Sequence, residues 1–205
     1  MSAGIDGSAF PAPERIVLAS SSPRRAELLR MLGLSFRVVP QDLLEIGRSG
    51  ESPLETARRL ADEKARAAVQ TAELDPTEVV LGADTIVTLD GLIYGKPATP
   101  SEAQAVLEAL SGREHEVVSA VALRTPESRQ AIVEHDCSGV RFRALSPEEI
   151  AWYLATGECR DAAGGYKVQG RGAWFVEAIH GSFYTVMGLP IHRLYSILKR
   201  VSFRF

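Results

Sequence analysis

Apolar and polar positions first fall into order at Arg15-Ile16-Val17-Leu18-Ala19, a short apolar run that predicts a buried strand. A helix is predicted from Pro23 to about Leu32, with Leu28, Leu29 and Leu32 on its inner side. Ser22 suits its N-cap, Pro23 its first position and Gly33 its stop. Ser35 to Pro40 reads as a second strand, and the polar stretch from Gln41 to Ser52 as an exposed loop. The next helix runs from Pro53 to about Glu73, ended by Asp75-Pro76. Val79 to Leu89 is strand-like and leads into a hairpin turn at Asp90-Gly91.

A helix over Ser101–Leu110 stops at Ser111-Gly112. Separate β runs follow at Val117–Leu123 and Ala131–Glu134, joined through Pro126-Glu127-Ser128, with a third at Gly139–Arg143. Ser146-Pro147-Glu148-Glu149 opens a helix with a capping-box pattern that ends near Gly157. A Gly-rich loop, Ala163 to Gly172, leads to an apolar strand at Trp174–Ile179, and the last helix covers Pro190 to Arg200. Trp152 and Tyr153 read as core packing. Strands and helices are mixed throughout, which predicts an α/β or α+β class with a mixed sheet.

Residues 1–14 are rich in Gly, Ala, Ser and Pro and are read as a flexible extension, leaving 15–205 as one domain. The chain's 205 residues can bury a sizeable core without staples. Its net charge of −3 argues against a protein that coats nucleic acid. No segment approaches the ~18 apolar residues of a membrane span. Two cysteines, Cys137 and Cys159, with no C-x-x-C pair, make a reducing cytoplasm the expected location.

Four places put charge where packing or helix electrostatics would not choose it. In Ser20-Ser21-Ser22-Pro23-Arg24-Arg25, two arginines occupy the first turn of a helix, where each cation costs about 0.3–1 kcal/mol. An anion over that turn would reverse the sign, because backbone N–H groups, serine hydroxyls and guanidinium forks would converge on its oxygens. The alternative is a pair of solvated arginines after an ordinary cap. Lys64 falls inside the apolar stripe of Leu54, Ala57, Leu60, Ala61, Ala65 and Ala68, either snorkelling past a small-residue face or reaching into a cleft.

Asp84 interrupts the apolar run Val79–Val87, and either makes an Asx-type turn or serves as a base or metal ligand. Lys96, in Gly95-Lys96-Pro97, returns positive charge to the same end of the sheet. The fourth place is the loop 161–170, where glycines permit close approach to a ligand and Gln169 carries both a donor and an acceptor. Walker and G-x-S-x-G patterns are absent, His115-Glu116 has no second histidine at zincin spacing, and His135, His180 and His192 read as satisfied or solvated.

Taken in order, LASSSPRR, LADEKA, GADTIV, GKP, LSGREHEV, AGGYKVQG and GLPIHRL resemble the Maf family of nucleoside triphosphate pyrophosphatases from Ile16 to Leu198. The resemblance implies a two-lobed fold like that of inosine triphosphatases, with a mixed twisted sheet, flanking helices and the nucleotide in the cleft. It implies hydrolysis of a nucleoside triphosphate to the monophosphate and pyrophosphate, with magnesium or manganese. Asp84 falls on the family's proton acceptor. Ser20, Arg25, Glu45, Lys64 and Lys96 fall on positions around phosphates and metal, with Glu45 and Asp84 as the metal ligands. Arg24, Thr85 and Gln169 fall on positions linked to base selection.

Ala83, Thr85 and Gln169 resemble the dTTP/UTP branch, whereas members acting on 7-methylguanosine triphosphate have serine and glutamine in GADT and glutamate at the Gln169 position. A glutamine amide can pair with the O4/N3 edge of thymine or uracil. Two residues depart from the family: Ala162 replaces a common lysine, and Lys167 replaces a small or apolar residue. Arg160 or Lys167 is the expected source of the missing charge. A homodimer is compatible with this reading. Two rivals remain: a 7-methylguanosine triphosphate pyrophosphatase, and a regulator of cell division that binds nucleotides or division proteins without turnover.

Overall fold

A computed structural model describes residues 13–126, 128 and 130–205. Most of the expected N-terminal extension, and Glu127 of the expected turn, lie outside the described residues. Pro13 and Glu14 are held to the body: the Pro13 carbonyl accepts from Arg204 N at 2.7 Å, and Glu14 N donates to Thr77 O at 3.0 Å.

Seven strands form one mixed sheet: β1 (Arg15–Ala19), β2 (Phe36–Val38), β3 (Glu78–Leu89), β4 (Leu92–Tyr94), β5 (Glu114–Arg124), β6 (Ile132–Phe142) and β7 (Val176–His180). The order is β2-β1-β3-β5-β6-β7, with β4 on β3. β1 is parallel to β2 and β3, and every other pairing is antiparallel. The helices are α1 (Pro23–Met31), α2 (Pro53–Thr71), α3 (Pro100–Leu110), α4 (Pro147–Ala155), α5 (Phe183–Met187) and α6 (Ile191–Arg200). The expected capping box at Ser146 and a second at Ser52 both follow from a Ser-Pro-x-Glu sequence, with Glu149 and Glu55 reaching back to the cap amide.

β3, β5 and β6 are long enough to run through two lobes. In the first lobe, Leu28 and Leu29 of α1 and Leu194 and Ile197 of α6 cover one face of the sheet. The alanines of α2 cover the other face, packing on Val17, Val80 and Ala120. In the second lobe, Leu107 and Leu110 of α3 and Ile150 and Tyr153 of α4 meet Val87, Val117 and Phe142. The middle of β3 therefore crosses from one core to the other.

Three local readings change. The separate runs at Ala131–Glu134 and Gly139–Arg143 are one strand, β6, because pairing with β5 is a backbone property that polar side chains do not interrupt. His135 instead meets Arg58, and Asp136 meets Thr185. Trp174 and Phe175 lie in a 3₁₀ turn ahead of β7 rather than in the strand. Tyr153 is core, as expected, but its neighbour Trp152 is about half exposed.

His115 is buried against Phe142 and Tyr166, with Nε2 2.9 Å from the Tyr166 hydroxyl. Burial brings its pKa down to about 4. The unfolded chain takes up this proton near pH 6.5, the folded chain only near 4, so stability is full above the first value and falls toward the second. The expected loss over that window is roughly 3 kcal/mol. Urea titrations should find that His115→Phe loses this part of the pH dependence; an unchanged slope would assign it to other groups.

Candidate active site

Parallel pairing of β1 with β3 ends at Ala19 opposite Gly82. The chain then leaves β1 through Ser20 toward α1, while β3 continues to Asp84. Ser20 and Asp84 are consequently brought together where the lobes separate, and a cleft of about 360 Å³ opens there. This is the usual ligand position at the carboxyl end of a parallel strand.

Gly82 sets how close α2 can come. A side chain at that position would collide with the Ala61 carbonyl and lie 2.7 Å from Ala65 N. With no side chain there, α2 lies directly on β3 and carries Lys64 to Asp84. The Lys64 ammonium is buried and donates to Asp84 Oδ1 at 2.6 Å and to Glu45 Oε1 at 2.5 Å. Glu45 comes from the irregular segment between β2 and α2, and its other oxygen accepts from Lys96 at 3.0 Å. Lys64 does not snorkel; it links two acids.

Burial pushes the Asp84 carboxyl up, against the pull of Lys64 and Arg25. Glu45 goes the other way: its burial is outweighed by Lys64 and Lys96, which bring its carboxyl down to about 2. One carboxylate is thus firmly ionised at the mouth while the other sits in a dry place where a proton is less costly.

Arg25 is buried, and all three of its guanidinium nitrogens are engaged within the chain. Its Nε donates to Gly188 O at 2.9 Å, Nη1 to Ser20 Oγ at 2.8 Å and Nη2 to Thr85 Oγ1 at 3.1 Å. Thr85 in turn lies 2.9 Å from Ser119 Oγ, whose hydroxyl donates to Thr185 O at 2.7 Å. The Thr85 hydroxyl, expected at the base, is occupied in holding Arg25. Ser119 is not singled out by the sequence, where its one signal is a serine inside the apolar run Val117–Leu123, and Gly188 enters only as the first residue of GLPIHRL. Gly188 caps α5 with φ +108°, a backbone state that favours glycine.

The α1 N-terminus faces the same cleft. Ser22 has cap geometry but its side chain makes no cap bond, and no acid stands in the first turn. The first-turn amides are left for another acceptor, as expected of an anion site. Arg24 crosses the cleft to donate to Asp161 O at 2.9 Å. Asp161 has a left-handed φ of 58°, which aspartate tolerates better than most residues.

All nine residues singled out from the sequence line this cleft: Ser20, Arg24, Arg25, Glu45, Lys64, Asp84, Thr85, Lys96 and Gln169. Of the two expected sources of compensating charge, Lys167 lines it and Arg160 does not. Val186 and Met187 of α5, a helix missed in the sequence, give the cleft an apolar wall. Among the described residues, no group of three His, Cys, Asp or Glu side chains gathers to hold a metal. Glu45 and Asp84 offer two hard oxygen ligands beside a cradle for phosphate.

A buried acid thus stands beside a positively charged cradle in the cleft. Comparison with known proteins makes this specific. The family described as Maf-like protein matches residues 15–201, and the chain belongs to the Maf family. A relative from Aquifex aeolicus (strain VF5), named dTTP/UTP pyrophosphatase, is 47% identical over 188 residues, covering 92% of this chain and 96% of the relative. Another of that name, from Syntrophus aciditrophicus (strain SB), is 44% identical and covers 91% of this chain and 89% of its own. Among solved structures, the Staphylococcus aureus Ham1 protein overlaps loosely, with a TM-score of 0.43 and 16% identity over 62% of this chain and 71% of that one.

Proposed function

We propose that this chain hydrolyses dTTP and UTP to the monophosphate and pyrophosphate. The observation that carries the chemistry is Asp84: a buried carboxyl, raised by desolvation, directly beside the Ser20–Arg25 cradle. The names of the relatives from Aquifex and Syntrophus support the substrate.

In this reading Asp84 orients a water and takes its proton as the oxygen attacks the α-phosphorus. The new P–O bond forms as the bond to the bridging oxygen breaks, and pyrophosphate leaves with the electron pair. The α1 N-terminus and the Lys64 and Lys96 ammoniums stabilise charge growing on the phosphates. Arg25, held on Ser20, Thr85 and Gly188, fixes the shape of that cradle. Gln169 reads the pyrimidine edge, with Val186 and Met187 as the apolar side of the pocket.

A divalent cation, magnesium or manganese, belongs to the proposal. Glu45 and Asp84 suit it, because such ions take one or two protein carboxylates and complete their shell with water and phosphate oxygens. Bound there, it would neutralise phosphate charge and polarise a phosphoryl oxygen. We also place the protein in the cytoplasm: Cys137 and Cys159 are both free thiols, and no helix among the described residues is long and apolar enough to cross a membrane.

The test is a product assay with magnesium or manganese on dTTP, UTP, CTP, ATP and 7-methylguanosine triphosphate, distinguishing pyrophosphate from phosphate. Pyrophosphate released fastest from dTTP and UTP, and lost with a chelator, is expected. Release mainly from the methylated purine would keep the chemistry and overturn the base reading. Nucleotide binding without turnover would favour a regulator.

A further inference from the structure

Tyr166 is extended, at φ −141° and ψ 159°, and the chain then turns over Lys167–Gly170. Burial alternates along these residues all the same. Tyr166 and Val168 are buried in the second lobe's core, and Lys167 and Gln169 both face the cleft. The backbone at Lys167 is fixed on three sides. Its N–H donates to the Tyr153 hydroxyl at 3.1 Å, and its carbonyl accepts from Gly170 N at 3.1 Å. Gly172 packs so close that a side chain there would fall 2.8 Å from the Lys167 carbonyl oxygen.

Every other cation lining the cleft already has a partner. Arg24 holds the Asp161 carbonyl, Arg25 its three acceptors, Lys64 its two acids, and Lys96 Glu45. Among the described residues, none offers the Lys167 ammonium an acid or an acceptor. A cation on a rigid backbone, facing the cleft with no partner, is placed for an acceptor that the ligand brings.

Gln169 leaves a gap that such a group would fill. Its amide can turn over, presenting either donor or acceptor, so by itself it accommodates a 4-keto and a 4-amino pyrimidine alike. An ammonium has donors only. Beside a 4-amino group, donor would face donor.

We propose that Lys167 is a specificity-determining residue that donates to the 4-keto oxygen of the base, favouring uracil and thymine over cytosine; this rests on Gln169 facing the pyrimidine. Calorimetry with UMP and CMP tests it on the full chain without requiring turnover, comparing wild type, Lys167→Met and Lys167→Arg. Lys167→Met is expected to raise the Kd of UMP about tenfold, the worth of one hydrogen bond to a charged donor, and that of CMP less than twofold. Lys167→Arg, which keeps a donor, should retain most of the preference. Parallel changes for UMP and CMP would overturn the proposal. So would weaker binding of inorganic pyrophosphate by Lys167→Met, which would put the ammonium on the phosphates. An absence of UMP binding by the wild type would also overturn it. The reading of Gln169 fails separately, if Gln169→Ala leaves both Kd values unchanged, and that of the reaction fails if the wild type binds UMP yet releases no pyrophosphate from UTP.

Discussion

Asp84→Asn is expected to lower pyrophosphate release about 1,000-fold, within the range that a positioned general base contributes. Asparagine has nearly the same shape and can still accept from Lys64, so the site should keep its form. What it lacks is a lone pair basic enough to take the proton of the attacking water. Nucleotide affinity measured without divalent cation should not fall, because the substitution removes a negative charge from beside the phosphates. Stability should also hold, since burial already penalises the ionised Asp84 carboxylate and Lys64 keeps Glu45 as its partner. Single-turnover release, nucleotide titration and urea unfolding check the three parts. Turnover within tenfold of wild type would assign the proton to another group.

Lys64→Met should strike both activity and stability. The methionine stem replaces most of the lysine's bulk in the α2 stripe but leaves Asp84 and Glu45 facing each other without the cation between them. Breaking a buried pair from one side costs about 3–5 kcal/mol, far more than an exposed ion pair contributes. Turnover should fall about 100-fold or more, as when one preorganised charge-stabilising donor is removed. Adding Glu45→Gln to Lys64→Met should return part of the lost stability, because it removes one of the two facing charges. If the double variant is no more stable than the single one, the loss comes from packing rather than from charge.

The sequence located the unusual charges better than it explained them. Arg24, Arg25, Lys64 and Asp84 stand out because each breaks a local rule of helix electrostatics or apolar patterning, and such violations are visible without a fold. Their partners are not visible in this way. Ser20, Thr85 and Gly188 meet around Arg25 from three distant parts of the chain, and only Ser20 is near it in sequence. Thr85 falls on a position linked to base selection, and only the fold shows that its hydroxyl is engaged with Arg25 and Ser119. A side chain's role depends on which acceptors surround it, and that is decided by packing.

The same division holds for the fold. Ser52-Pro53 and Ser146-Pro147, each followed by a glutamate at the third helical position, settle two helix starts locally, because cap and glutamate bond to each other's backbone within one turn. The apolar runs of β1 and β3 likewise identify themselves. β6 does not: His135-Asp136-Cys137-Ser138 breaks its apolar pattern, and only the amides of β5 make it one strand. α5, five residues long, is too short to nucleate by itself. By itself, then, the sequence determined the elements whose signals close within a turn or a strand, and the charges that must answer to a ligand. The tertiary structure decided which lobe each strand serves, which acids share Lys64, and that Lys167 is left facing the cleft unpartnered, because these depend on contacts between segments far apart in the chain.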